Sequence, residues 1–367
     1  MRTLSMIATI LLLFSFGHRV RCEAIAAESA SAPLLSASSA ALYERNSHTF
    51  VFTKDAEERR PMASTTKIMT ALVAVNRAKS LDEIVTVPPE AVGVEGSSLY
   101  LREGERLTLS DLLYGLMLQS ANDAAVAIAI HVTGSVDAFV AEMNETASEL
   151  GLTDTSFTNP HGLHDENHYT TACDLAKIAA AALEDEIILK ISSTYKHTIP
   201  QTNLSPARHI VNHNKLLRLC DSAVGLKTGF TKASGRCLVG AFETDGLSLV
   251  SVTLSAPNDW DDHQKLLAYG RSRLESRCIA SRGSLHYRIP IVGAELDFIS
   301  CTNSEDVVLV LPRGKDAPIP RLHLSHFAVA PIRCGAVMGT LIYETEGGVG
   351  YEIPLVAERS VDPIRQH

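Results

Sequence analysis

The texture of the chain changes at about Ser281. Beyond it the sequence runs as short segments, HYRIPIV, AELDFIS, EDVVLVL, RLHLSHFAV, GTLIYET and GYEIPLV, divided by Gly, Pro and Asn. Such a stretch buries its apolar residues only by pairing strands, so it is read as a small all-β domain. Before it lie both strand-like and helix-like segments, and the expected fold class is α+β with a smaller C-terminal all-β domain. The expected bounds are a signal peptide over 1–26, a main domain over 27–277, a C-terminal β-sandwich over 278–360 and a tail over 361–367.

In the main domain, strand-like runs fall at Leu34–Tyr43 and Thr49–Thr53. A helical pattern opens at Pro61, with Ile68, Leu72 and Val75 on one face. Glu90–Glu105, with Gly93, Gly96 and Gly104, reads as loop and short hairpin. Ser110 is the expected N-cap of a helix reaching Leu118, and Ala124–Val132 reads as a helix buried on most sides. Thr170–Leu183 is a further helix. Val224–Leu254 reads as antiparallel strands turning at Asp245-Gly246, and Asp259–Glu275 as an amphipathic helix.

Arg2 precedes an apolar run from Met6 to Phe16, too short for a stable membrane span and suited to a signal-peptide core, with Ala24-Ile25-Ala26 as the cleavage site. The other reading is an uncleaved N-terminal anchor. On both, the bulk of the chain lies outside the cytoplasm, in the periplasm, the cell wall or at the outer face of the membrane. With 33 basic and 42 acidic residues the net charge is −9, and no basic stripe is visible, which argues against a nucleic-acid partner. Cleavage removes Cys22 and leaves Cys173, Cys220, Cys237, Cys278, Cys301 and Cys334; six cysteines in an exported chain could pair, but none lies in a C-x-x-C pattern and buried free thiols are the expectation.

Short motifs follow one another along the chain: Ser64-Thr65-Thr66-Lys67, Ser120-Ala121-Asn122 and Lys227-Thr228-Gly229. The first two patterns each arise about once by chance in a chain of this length, so their settings matter more than their letters. Ser64 lies at the start of a helix, where residues three apart share a face and Lys67 reaches the Ser64 hydroxyl. A serine needs a base to become a nucleophile. A lysine is a base only when neutral, which burial or a nearby cation such as Lys227 brings about. Ser120 and Asn122 flank a joint between two helices. If the joint is extended, both side chains point the same way, a hydroxyl to relay a proton and an amide to hold a substrate backbone; Asp123 is expected to belong to the helix cap. Lys227 and Thr228, on an edge strand, offer a cation and a donor to a carboxylate, and Gly229 lets another backbone approach. The amide N–H groups of Ser64 and Phe230 form the natural oxyanion hole.

This set of motifs resembles the signature of penicillin-binding proteins and serine β-lactamases. The segments ASTTKIMTAL, GSSLYLREGE, LMLQSANDAA, FTNPHGL, HNKLL and GLKTGFTKASGRCLV are similar to those of the low-molecular-mass D-alanyl-D-alanine carboxypeptidases, over roughly Ser36 to Glu275, and the β-rich tail resembles that family's C-terminal domain. The resemblance implies an antiparallel sheet between helical layers. It implies Ser64 as acylated nucleophile, Lys67 as proton acceptor, Ser120 as proton relay, Asn122 as substrate amide partner and Lys227 as carboxylate binder. The expected partners are the peptidoglycan stem pentapeptide and, as covalent inhibitors, β-lactam antibiotics; no cofactor or metal is required. Two features depart from the family. Only seven residues follow Ser360, too few for a terminal amphipathic anchor helix, and Phe230 is apolar where some relatives are polar.

Rival readings remain. His161, His164 and His168, with His209 and His213, are metal-ligand types, but the H-E-x-x-H pattern of a zinc peptidase is missing. A β-lactamase of the first class needs a deacylating glutamate; Glu166 lies between the second and third motifs, but its setting, HDENHY, lacks the expected Glu-x-x-x-Asn pattern. A cross-link endopeptidase shares the same chemistry, and an inactive wall-binding protein is argued against by the intact motifs.

Overall fold

The structure, a computed structural model, describes residues 31–344 and 350–364; the export segment and the last tail residues expected from the sequence lie outside them. Strands β1 (Ser39–Glu44) and β2 (Thr49–Lys54) open the main domain. A 3-10 turn, Ala63–Thr66, leads into α1 (Lys67–Arg77). Then come the short strands β3 (Ile84–Thr86) and β4 (Arg106–Thr108), which pair around the long loop, and helices α2 (Leu109–Leu118), α3 (Asn122–Thr133) and α4 (Val136–Glu149). Helices α5 (Ala172–Ala182) and α6 (Glu186–Ser193), the hairpin β5 (Lys196–Ile199) and β6 (Arg208–Val211), and a short α7 (Leu216–Leu219) follow. Strands β7 (Ala223–Thr231), β8 (Gly235–Thr244) and β9 (Leu247–Leu254) and helix α8 (Asp259–Arg273) complete it.

The central sheet is antiparallel, in the order β2-β1-β9-β8-β7. Both of its faces are covered, which is why β1 and β8 read as nearly unbroken apolar runs. Along β1, Ala41 and Tyr43 face the core shared with α1 to α6, while Ala40 and Leu42 face α8. Along β8, Cys237, Val239 and Ala241 join the first core, and Leu238 and Phe242 the second. The sheet thus lies between helical layers.

From α8 the chain runs into β10 (Leu274–Ala280), β11 (Tyr287–Val292), β12 (Phe298–Asn303), β13 (Val307–Pro312), β14 (Arg321–Leu324), β15 (Ala328–Val329), β16 (Val337–Glu344) and β17 (Gly350–Ala357). Six of these form one sheet, β14-β16-β17-β12-β11-β15, and β10 pairs with β13. Among the described residues no single helix is long and apolar enough to cross a membrane.

Several local expectations are corrected. The cap of α2 is Thr108, not Ser110: its hydroxyl accepts from Asp111 N at 3.0 Å, and so takes the position a β-region N-cap requires. The hairpin is not inside Glu90–Glu105 but is made by the strands that bracket it. Among the cysteines, Cys237 and Cys301 are buried free thiols, but Cys278 and Cys334 are exposed and Cys173 is disulfide-bonded.

Phe242 is fully buried between β8 and α8, whereas Phe298 is partly exposed. Phe242→Ala is expected to cost roughly 3–5 kcal/mol and Phe298→Ala under about 1 kcal/mol. Urea unfolding followed through Trp260, the single tryptophan, which packs against the same core, measures the difference.

Candidate active site

The turn before α1 carries the first motif. Ala63 has φ +49°, a left-handed conformation that a non-glycine residue keeps only when its surroundings hold it. Thr65 Oγ1 donates to Met62 O at 2.6 Å and Thr66 Oγ1 to Ala63 O at 2.8 Å, so successive hydroxyls close the turn on which Ser64 stands. Gly162, at φ +90°, lies against the same turn: a Cβ there would sit 1.9 Å from Ala63 O.

Lys67, the first residue of α1, is completely buried. Its Nζ is 2.6 Å from Asn122 Oδ1, 2.6 Å from the carbonyl of His161 and 3.0 Å from Ser64 Oγ. Burial, and then the charge of Lys227, push its pKa far down, against a smaller pull from Asp123. A neutral amine has two N–H bonds and one lone pair. The two carbonyl oxygens can only accept, so they take the two N–H bonds, and the lone pair is left facing Ser64 O–H. That is the arrangement of a general base.

The joint between α2 and α3 is not extended. Ser120 has φ +61°, Ala121 is the N-cap, and Asn122 already begins α3. Asn122 binds Lys67 through its oxygen and Glu95 O through Nδ2, at 2.5 Å. Asp123, in the first turn of α3, does more than cap it: its Oδ1 accepts from Ala124 N at 2.9 Å, while the carboxylate also accepts from Leu99 N, Leu101 N and the Ser98 hydroxyl, at 3.0, 3.0 and 2.6 Å, and clamps the long loop to α3. The buried Glu105 fixes the far end of that loop through Arg208, at 2.8 and 2.9 Å.

β7 is the outermost strand of the central sheet, and among the described residues its other side is unpaired. It packs on the Ser64 turn, and Gly229 lets the two backbones approach, since a Cβ would crowd Ser64 N at 3.0 Å and Thr65 N at 3.2 Å. Lys227 is almost wholly buried, and burial brings its pKa down to about 7. Its Nζ donates to Thr228 O at 2.9 Å. Phe230 follows, with 65 % of its surface exposed.

Sequence reasoning overlooked the loop Asn159–Leu163. Asn159 Oδ1 accepts from Gly162 N at 2.7 Å, and Thr70 Oγ1 donates to Pro160 O at 2.6 Å; this holds the His161 carbonyl against Lys67. The signal was there in FTNPHGL, but its chemistry resides in backbone atoms. His161 is half-buried and His168 buried; both are neutral, pushed down to about 3 and about 4 by burial first. His164, Glu166 and His213 are exposed, and His209 pairs with Thr198. The exposure of Glu166 removes the setting that a deacylating glutamate would need. Among the described residues, no three or more His, Cys, Asp or Glu side chains group as metal ligands.

Fold and site define a serine-type peptidase of the transpeptidase fold with a C-terminal β-rich half-barrel domain. A family model described as D-alanyl-D-alanine carboxypeptidase, peptidase family S11, matches residues 26–258. The chain is 31% identical over 334 residues to the D-alanyl-D-alanine carboxypeptidase DacF of Bacillus subtilis, spanning 89% of this chain and 86% of that protein. It is 31% identical over 347 residues to DacA of Escherichia coli, with 90% and 84% covered. Penicillin-binding protein 5 from Haemophilus influenzae superposes with a TM-score of 0.70 at 28% identity, over 91% of this chain and all of that one. The chain belongs to the D-alanyl-D-alanine carboxypeptidase family, the low-molecular-mass penicillin-binding proteins, whose members act on the cell wall outside the cytoplasm.

Gly162→Ala combines a left-handed backbone with a clash against Ala63 O and is expected to cost roughly 2–4 kcal/mol. Gly134→Ala, at φ +88° with open space around the added carbon, should cost only about 1 kcal/mol. Urea unfolding of the two variants side by side checks the contrast.

Proposed function

We propose that this protein trims the terminal D-alanine from peptidoglycan stem pentapeptides through an acyl-enzyme on Ser64, with the unit 27–277 as the catalytic domain and 278–360 as a spacing or docking domain. The substrate lies along the unpaired edge of β7 as an added strand. Lys227 and Thr228 hold its terminal carboxylate, and Asn122 meets its backbone. Lys67 takes the Ser64 proton as Oγ attacks the penultimate carbonyl, and the Ser64 and Phe230 amides receive the oxyanion. Collapse breaks the amide bond, and Ser120 passes the proton from Lys67 to the departing amine. Water then cleaves the ester, with Lys67 again as base. The observation that carries this reading is Lys67 Nζ, dry and 3.0 Å from Ser64 Oγ, with its other hydrogen-bonding directions occupied by carbonyls. We further propose that β-lactams acylate the same serine and that the N-terminal segment exports the chain.

The test is release of D-alanine from a pentapeptide, together with intact mass after penicillin treatment. Wild type is expected to release D-alanine and carry one penicillin adduct, and Ser64→Ala to do neither, with at least a ~10³-fold loss of rate. An adduct that persists in Ser64→Ala would sink the assignment. The pH dependence has a definite sign. Lys227 is charged below a pKa of about 7 and loses its charge as pH rises through it. kcat/KM for a peptide ending in a carboxylate should therefore fall on the alkaline side of about pH 7, because kcat/KM reports the free enzyme. The same peptide ending in an amide should show no such fall, and initial rates across pH compare the two.

A further inference from the structure

We propose that His168 is a positioning residue for the nucleophile: it holds Thr66, and through Thr66 the carbonyl of Ala63, so that the strained turn carrying Ser64 keeps its shape. The proposal rests on the reading of Ser64 as nucleophile. His168 is 102 residues distant from Thr66 in sequence, yet its Nε2 lies 2.8 Å from Thr66 Oγ1. Both residues are almost wholly buried.

The direction of each hydrogen bond follows from counting protons. The Thr66 hydroxyl has one, which it gives to Ala63 O at 2.8 Å. It can therefore only accept from the ring, so His168 Nε2 carries a hydrogen. On the other side of the ring, Thr158 N donates to Nδ1 at 3.0 Å, which requires Nδ1 to be bare. A single neutral tautomer satisfies both ends, and the chain runs one way: Thr158 N–H to Nδ1, Nε2–H to Thr66 Oγ1, Oγ1–H to Ala63 O. The ring is fixed edge-on to Phe157, with centroids 5.8 Å apart, and the next two residues form backbone bridges, Tyr169 to Ser156 and Thr170 to Arg60. The chain is thus anchored in rigid backbone at one end and ends on the residue before Ser64. No reacting group is touched by His168, so its effect passes through the geometry of the turn.

Three variants test this. Thr66→Val keeps the shape and removes the hydroxyl; His168→Phe keeps a flat ring and removes the donor; His168→Gln retains an N–H for Thr66. In Thr66→Val and in His168→Phe, kcat for D-alanine release and the rate of penicillin acylation should each fall roughly tenfold, with KM within about twofold of wild type. The double variant should be no slower than the slower single, because both changes break one chain. His168→Gln should recover most of the rate. Wild-type rates in the single variants, or losses that multiply in the double, would overturn the proposal. Should His168→Phe fail to fold, Thr66→Val carries the test alone, and a wild-type rate there overturns it. Penicillin labelling of Ser64→Ala would sink the nucleophile assignment and this proposal together, whereas an unlabelled Ser64→Ala beside a fully active Thr66→Val sinks this proposal only.

Discussion

Everything in the cleft depends on drying one amine. In water Lys67 would be an ammonium and no base; buried beside a second lysine, it becomes neutral. A buried amine left without acceptors would be costly, so its N–H bonds must find carbonyl oxygens. Those come from α3 and from the Asn159–Leu163 loop, while the hydroxyl comes from the turn before α1. No single element can build such a site. The apolar face of α1, with Ile68, Met69 and Leu72 in the main core, fixes the helix that presents Lys67, and the Asp123 clamp fixes the loop beside it.

The C-terminal domain stands apart from this chemistry. On the central sheet, Gly229 is opposite Cys237, while the β8–β9 turn follows Thr244 at the other end of the same strand. Seven residues of strand separate these ends, about 23 Å. Contacts with the C-terminal domain lie at the far end: Tyr351 near the buried Glu44, and Val310 in the core shared by β1, β9 and α8. Burial first, and then the charge of Glu44, push the Tyr351 hydroxyl up against the pull of its hydrogen bond from Val310 N. A docking face placed there leaves the edge of β7 open to a long peptide.

Much of this was legible in the residues because both layers of the problem have short periods. The all-β tail, the hairpin at Asp245-Gly246 and the buried α3 follow from alternation and helical spacing. The motifs marked Ser64, Lys67 and Lys227, since their chemistry belongs to side chains at fixed local offsets. What stayed hidden has no such offset. The His161 carbonyl is a backbone atom brought to Lys67 across 94 residues, and Ser120 takes a left-handed backbone at the joint of α2 and α3 although it is not a glycine. Asp123 was legible as part of the cap, and its carboxylate does accept from Ala124 N; the clamp on the amides of Leu99 and Leu101, more than twenty residues away, was not.

The two buried lysines need opposite states, and one mechanism supplies both. In the free enzyme burial first, and then the charge of Lys227, holds Lys67 neutral, so the proposed base is ready but weakened in part by the field of its neighbour. In the proposed reaction the substrate brings a carboxylate to Lys227. Pairing there cancels most of the field reaching Lys67 and raises its affinity for a proton at the moment the Ser64 hydroxyl must lose one. Binding of the correct chain end and strengthening of the base are then a single electrostatic event. A peptide without that carboxylate would reach the cleft and meet a base still suppressed by Lys227, so discrimination falls on the rate of acylation as well as on binding.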